Sequence, residues 1–196
     1  MASNLKVDNI QNSAGQDLFI NGYPRRPGQI IEYLTSPCDG SQVTVGSGTY
    51  TFPNVTTQQG VTDAYADITG SSIAYVPPAG TSRVIYKFDF GVYFLSDHAI
   101  THLKFFIDSN EVLNARQNKS SRYPELKYPF EWVIPIGGAA NTTTGRQASW
   151  TTAKTLKMQV RRYGASNYSN LHGTVYWDGT SGTQLVVPIL TIIAIT

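Results

Sequence analysis

The sequence predicts an all-β chain, and three observations predict it. From about residue 41 onward, β-branched and aromatic residues alternate with polar ones at period two. Clusters of Gly, Pro, Asn or Ser break that alternation about every 8–15 residues, the rhythm of antiparallel strands joined by turns. No segment sustains a 3.6-residue apolar period between helix caps. The expected architecture is an antiparallel β-sandwich or jelly roll of eight to nine strands, preceded by a short N-terminal arm.

Residues 1–40 form the expected arm. Two short candidate strands carry its apolar residues, Leu5, Val7 and Ile10 on or beside the first and Leu18, Phe19 and Ile20 on the second. Asn12-Ser13-Ala14-Gly15 separates them, and the stiff Tyr23-Pro24-Arg25-Arg26-Pro27-Gly28 follows. Two such strands cannot bury their apolar side chains against each other alone, so the arm is expected to anchor on another subunit or a larger assembly.

Residues 41–196 form the expected sandwich domain. Its clearest strand places Val84, Tyr86, Phe88, Phe90, Val92 and Phe94 on one face and Lys87 and Asp89 on the other. Further strands are expected at 49–54, 64–69, 73–76, 103–107, 128–136, 156–163, 171–178 and 186–195. The last one differs from the rest. Val186-Val187-Pro188-Ile189-Leu190-Thr191-Ile192-Ile193-Ala194-Ile195 is apolar on both faces, whereas a strand in a monomeric sandwich needs only one buried face. Either a loop of the same chain covers the second face, or copies of the strand meet at a symmetry axis. On the second reading Ile189, Leu190, Ile192, Ile193 and Ile195 are interface residues. Arg162, which falls in phase with the inward Leu156, Met158 and Val160, joins them as a guanidinium in need of a partner.

Composition narrows function. With 41% hydrophobic and 12% aromatic residues, the 196-residue chain has material for one substantial core. Its 14% charged residues are far below the roughly 25% of an average soluble domain, so Ser, Thr, Asn, Gln, Gly and Tyr must cover much of the surface. A net charge of +2 provides no field for gathering nucleic acid. No apolar run approaches the roughly 20 residues that span a bilayer, and MASNLKVDNI lacks a signal-length apolar core, so neither membrane insertion nor classical export is expected.

Catalytic signatures are lacking as well: there is no G-x-S-x-G, H-E-x-x-H, P-loop or G-x-G-x-x-G. Cys38, the single cysteine, excludes an intrachain disulfide and a CxxC pair, and reads as an ordinary loop or core residue in preference to a nucleophile. Asp97, His98, His102 and Asp108 are metal-like in type, but they straddle a strand boundary where their spacing brings no shared face. His172 alternates with Leu171 and Gly173 and is expected at a surface or an interface. Acid pairs such as Asp108 with Glu111 and Glu125 with Glu131 lack any spacing that would set them across a scissile bond. The expectation is a protein that is not an enzyme and needs no cofactor or metal. A loop over 115–129, with Arg116, Arg122, Tyr123 and Tyr128, is the candidate for surface recognition, including of glycans, because Tyr, Arg, Asn and Ser make adaptable contacts.

Several stretches carry a family resemblance. Thr81-Ser82-Arg83-Val84-Ile85-Tyr86, the run from His98 to Asp108, Ser149-Trp150-Thr151 ahead of Leu156–Arg161, Leu171-His172-Gly173-Thr174-Val175-Tyr176-Trp177-Asp178-Gly179 and the closing Pro188–Ile195 together resemble a jelly-roll module of virion structural proteins from tailed phages and large DNA viruses of aquatic microbes. The resemblance covers roughly residues 49–196, and Leu5–Asn12 resembles the attachment segments of such fibre and decoration proteins. It implies a homotrimer of the tumour-necrosis-factor and complement globular-head type, with the closing strand near the threefold axis. It also implies a place in the virion, on a capsid-attached decoration or minor capsid protein or a short fibre, next to capsid or tail proteins. The alternative is a carbohydrate-binding receptor-recognition module of a tail fibre or spike, and a lesser alternative is a polysaccharide-degrading enzyme.

Overall fold

The sequence alternation becomes an alternation of burial. Along Arg83–Phe94 the side chains of Val84, Tyr86, Phe88, Phe90, Val92 and Phe94 are buried, while each intervening residue reaches the surface. Ala99–Ile107 repeats the pattern with Ala99, Thr101, Leu103, Phe105 and Ile107 inside. The computed structural model describes residues 19–20, 23–24, 26–95, 99–121, 125–175 and 183–196.

Two curled antiparallel sheets hold the core. In the first, Ile189–Ile195 lies between Ile30–Pro37 and Arg83–Phe94, and Glu125–Pro135 pairs with the far edge of Arg83–Phe94. Short strands at Ser169–Leu171 and Gln59–Gly60 extend it. In the second, Ala99–Ile107 pairs with Lys154–Arg162 on one side and with Asn110–Glu111 and Gln117–Ser121 on the other. Ala66–Asp67 and Ile73–Tyr75 complete its edge along Lys154–Arg162. Two hairpins, Gln42–Val45 with Gly48–Thr51 and Gly173–Val175 with Thr183–Leu185, stand outside these sheets. The one helical turn among the described residues is a 3-10 turn at Leu113–Ala115.

Aromatic contacts join the two sheets. Tyr86 of the first meets Phe105 of the second at 4.9 Å between ring centroids, and Phe105 meets Phe130 at 5.5 Å. Such tilted pairs add about 0.5–1.5 kcal/mol each beyond area burial. The chain is thus an all-β antiparallel sandwich with one continuous apolar core.

Three local features depart from the sequence reading. Residues 30–37, assigned there to the arm, form a full strand of the first sheet, pairing with Ile189–Ile195 from Pro37 to Ile30. The strand expected at 171–178 is interrupted at once, because His172 takes φ 60° and Leu171 and His172 both turn inward. His172 is therefore not a surface residue: its ring sits edge-on to Phe88 and Phe90, and burial pushes its pKa down to about 4 against a weaker upward pull from the Thr69 backbone. The third feature is a buried carboxylate. Glu32, 6% exposed, accepts hydrogen bonds from Ser47 N at 2.8 Å, Ser47 Oγ at 2.7 Å and Tyr75 Oη at 2.6 Å. Ser47 lies in the turn of the 42–51 hairpin, so this carboxylate pins that hairpin to the sandwich.

Candidate functional site

The register of the first sheet assembles its outer face row by row. Tyr33 stands opposite Ile193, Ile193 opposite Ile85, and Ile85 opposite Val133, giving an apolar row across four strands. Ile30, Ile195, Arg83 and Pro135 form the row on one side of it. On the other side the row is polar: Thr35 Oγ1 and Thr191 Oγ1 share a hydrogen bond of 2.7 Å, and Lys87 Nζ meets Glu131 at 2.9 Å. Ile189 then returns the face to apolar character, continued by Val186 and Val187.

Exposure marks this face as unusual. Ile30 is 54%, Tyr33 55%, Val133 42% and Ile189 41% exposed, although all four belong to regular strands, Ile30 and Ile189 at their starts. Exposed apolar side chains on a sheet face, here on both sides of a polar row, are characteristic of interaction sites. At the far end, the Gly173 backbone closes over the sheet at Gly91, where any Cβ would come within 3.3 Å of the Gly173 carbonyl oxygen. Beside that contact lies a cleft of about 280 Å³ lined in part by Phe90, Val186, Val187 and Ile189.

The expected interface residues divide between this face and the core. Ile189, Ile193 and Ile195 point outward with the apolar row. Leu190 and Ile192 are fully buried in the chain's own core and are corrected accordingly, because alternation along Ile189–Ile195 sends them to the inner face. Arg162 is not beside them. It ends a strand of the opposite sheet, where its guanidinium lies 4.8 Å from the Tyr168 ring centroid. Thus the greasiness of the closing strand has two sources, one face filling the sandwich and the other left facing outward.

The expected recognition residues also separate. Arg122 and Tyr123 lie outside the described residues, as do Leu5, Val7, Ile10 and Leu18 of the arm. Phe19–Ile20 pairs with Tyr23–Pro24 in a two-residue ladder. Tyr128 is corrected to a core residue: it is 2% exposed, packs on Phe90 at 5.2 Å and donates its hydroxyl to Gln117 Oε1. Arg116 alone remains a surface cation, hydrogen-bonded through Nε to Glu111 at 2.5 Å.

Reactive groups are held in inert settings. Cys38 is buried, its thiol faces the Gly70 carbonyl at 3.3 Å, and burial, with Asp39 adding to it, pushes its pKa up to about 12. A thiol so protonated is a poor nucleophile. Among the described residues, no three His, Cys, Asp or Glu side chains converge as metal ligands would. Asp108 instead caps the neighbouring strand, accepting from Thr155 N at 2.8 Å.

Fold and surface together define an antiparallel β-sandwich with an exposed apolar sheet face. No family model matches the sequence, and no curated protein matches it. Among solved structures, the chain is similar to one described as the structure of the infectious bursal disease virus Gx strain, at 10% identity and TM-score 0.38, over 97% of this chain and 42% of that one. It is similar to the Gt strain of the same virus at 10% identity and TM-score 0.36, over 100% of this chain and 44% of that one. A mutant VP2 protein of that virus, in derived T=1 particles, gives 10% identity and TM-score 0.34 over 92% of this chain and 44% of that one. The chain thus spans less than half the length of each.

Proposed function

We propose that this chain is a non-catalytic structural protein of a virus particle that works as a homotrimer, with residues 1–40 helping to attach it to capsid or tail proteins. The observation that carries the reading is the apolar row Tyr33, Ile193, Ile85 and Val133 on the outer face of the first sheet. The closing strand runs through that row, which is where the sequence resemblance places a threefold axis. If Ile30, Tyr33, Val133 and Ile189, each about half exposed, became buried between copies, each would contribute on the order of 1 kcal/mol per subunit. Three subunits acting together make such an assembly persistent.

Within that reading, the chain is a decoration or minor capsid protein or a short fibre. Purified particles should contain the chain in stoichiometric amounts by mass spectrometry, and antibody labelling should place it on the particle surface. Particles that lack it would end the virion reading.

A second reading, recognition of a host-surface glycan, is favoured by one observation. Arg116 lines an open polar basin on the opposite sheet, away from the apolar face. Both roles can therefore operate in one assembly.

A further inference from the structure

The outer face of the second sheet differs in character from that of the first. Asn118 stands opposite His102 and His102 opposite Arg161, with Tyr65 adjoining the Ala66–Asp67 strand that pairs beyond. Gln117 and Arg116 approach from the preceding turn. Tyr65, His102, Lys104, Arg116, Gln117 and Asn118 line a basin of about 650 Å³, within the roughly 300–1,000 Å³ of small-ligand sites.

Its charge is local and unbalanced. Lys104 and Arg116 share one carboxylate, Glu111, which takes Lys104 Nζ at 3.0 Å and Arg116 Nε at 2.5 Å, and Arg161 stands opposite His102 on the neighbouring strand. Both hydrogen-bonded cations hold the Glu111 carboxyl below the usual carboxylate range, so it is ionised, and the cluster carries an excess of two positive charges. Lys104 Nζ and Arg161 Cζ stand 4.2 Å and 5.3 Å from the Tyr65 ring centroid, which fixes both cations above a partly exposed aromatic. Burial and the Arg161 charge depress the His102 pKa, leaving its imidazole neutral near pH 7.

Unused hydrogen-bonding capacity accompanies the charge. His102 Nε2 and Arg161 Nε have no hydrogen-bond partner. Gln117 Oε1 is occupied by the Tyr128 hydroxyl, which orients the amide and leaves its NH2 free to donate. Farther along the same strand, Lys157 is paired with Asp67 at 2.9 Å. The geometry suits one anionic group set among hydroxyls.

We infer that this basin binds an acidic glycan, a sugar bearing a carboxylate or a sulfate. Lys104 and Arg116 take the anionic group, and Gln117, Asn118 and His102 take neighbouring hydroxyls. The inference deepens the glycan reading by naming its site and sugar class, and it is independent of the apolar face.

Titration calorimetry with sialyllactose, a sulfated lactose and plain lactose tests it on the full chain, with sodium sulfate as the ion control. Sialyllactose or sulfated lactose should bind at least tenfold more tightly than lactose, and whichever binds better identifies the anionic group. Arg116→Gln and Lys104→Gln should each weaken that binding at least fivefold. Glu111→Gln, which releases two cations from their carboxylate, should strengthen it. These opposite signs distinguish ligand contact from loss of folding. Equal binding of acidic and neutral sugars, binding of sulfate alone with equal affinity, or weakening in all three variants would overturn the assignment. Acidic-sugar binding untouched by the variants would overturn this site while sparing the glycan reading, and no sugar binding would end both.

Discussion

Replacing Glu32 with Ala should destabilise the fold severely, and the size of the loss follows from its three donors. The carboxylate has no ion-pair partner among the described residues and is held by Ser47 N, Ser47 Oγ and Tyr75 Oη. Hydrogen bonds to charged groups contribute about 1.5–3 kcal/mol each, and a buried polar group left unmatched costs about 1–3 kcal/mol. Ser47 Oγ retains Tyr50 Oη at 2.8 Å, so its loss is partial. Tyr75 is fully buried and its hydroxyl loses its 2.6 Å acceptor. A total of about 3–5 kcal/mol is expected, lowering Tm by roughly 10 °C for a chain of this size. Urea unfolding followed by tryptophan fluorescence, at one fixed protein concentration, measures it. The double variant with Tyr75→Phe should cost about 1–2 kcal/mol less than the sum of the single changes, because the orphaned hydroxyl is gone. A Glu32→Ala loss below 1 kcal/mol, or strict additivity, would refute the network.

Two further predictions concern pH and assembly. His172 is depressed to about 4 when folded against about 6.5 when unfolded, so the unfolded chain binds the extra proton between those values. Stability is then full above pH 6.5 and falls by about 3 kcal/mol as pH drops toward 4. His172→Asn, which tolerates the positive φ, should flatten that slope in thermal melts taken across pH 4–7, and an unchanged slope would assign the titration elsewhere. Tyr33→Glu on the outer face should shift the protein to monomers in sedimentation velocity while its circular dichroism spectrum stays intact, since the side chain is 55% exposed within one chain. An unaltered assembly would remove Tyr33 from the interface.

The long central strands were legible because every inward residue from Val84 to Phe94 is apolar and every neighbour can meet water. Ile30–Pro37 was not, because Glu32 and Ser36 occupy inward positions and make a buried strand read as solvated. Tyr128 carried a usable signal, being in phase with the buried Phe130 and Ile134, but its polar surroundings suggested a loop. His172 carried none, since a single residue at φ 60° reverses the alternation after it. The two-faced closing strand was evident from composition, and register alone could reveal that its outward half joins Tyr33, Ile85 and Val133. The basin is likewise built by register: residues 65, 102–104 and 116–118 meet only once the second sheet forms.

The mass of the purified protein tests self-association through the apolar sheet face most directly. Light scattering during gel filtration should give three times 21.5 kDa, about 65 kDa, unchanged on dilution into the nanomolar range. A stable 21.5 kDa species would mean that Tyr33, Ile193 and Val133 face water by design, and the assembly role would be contradicted.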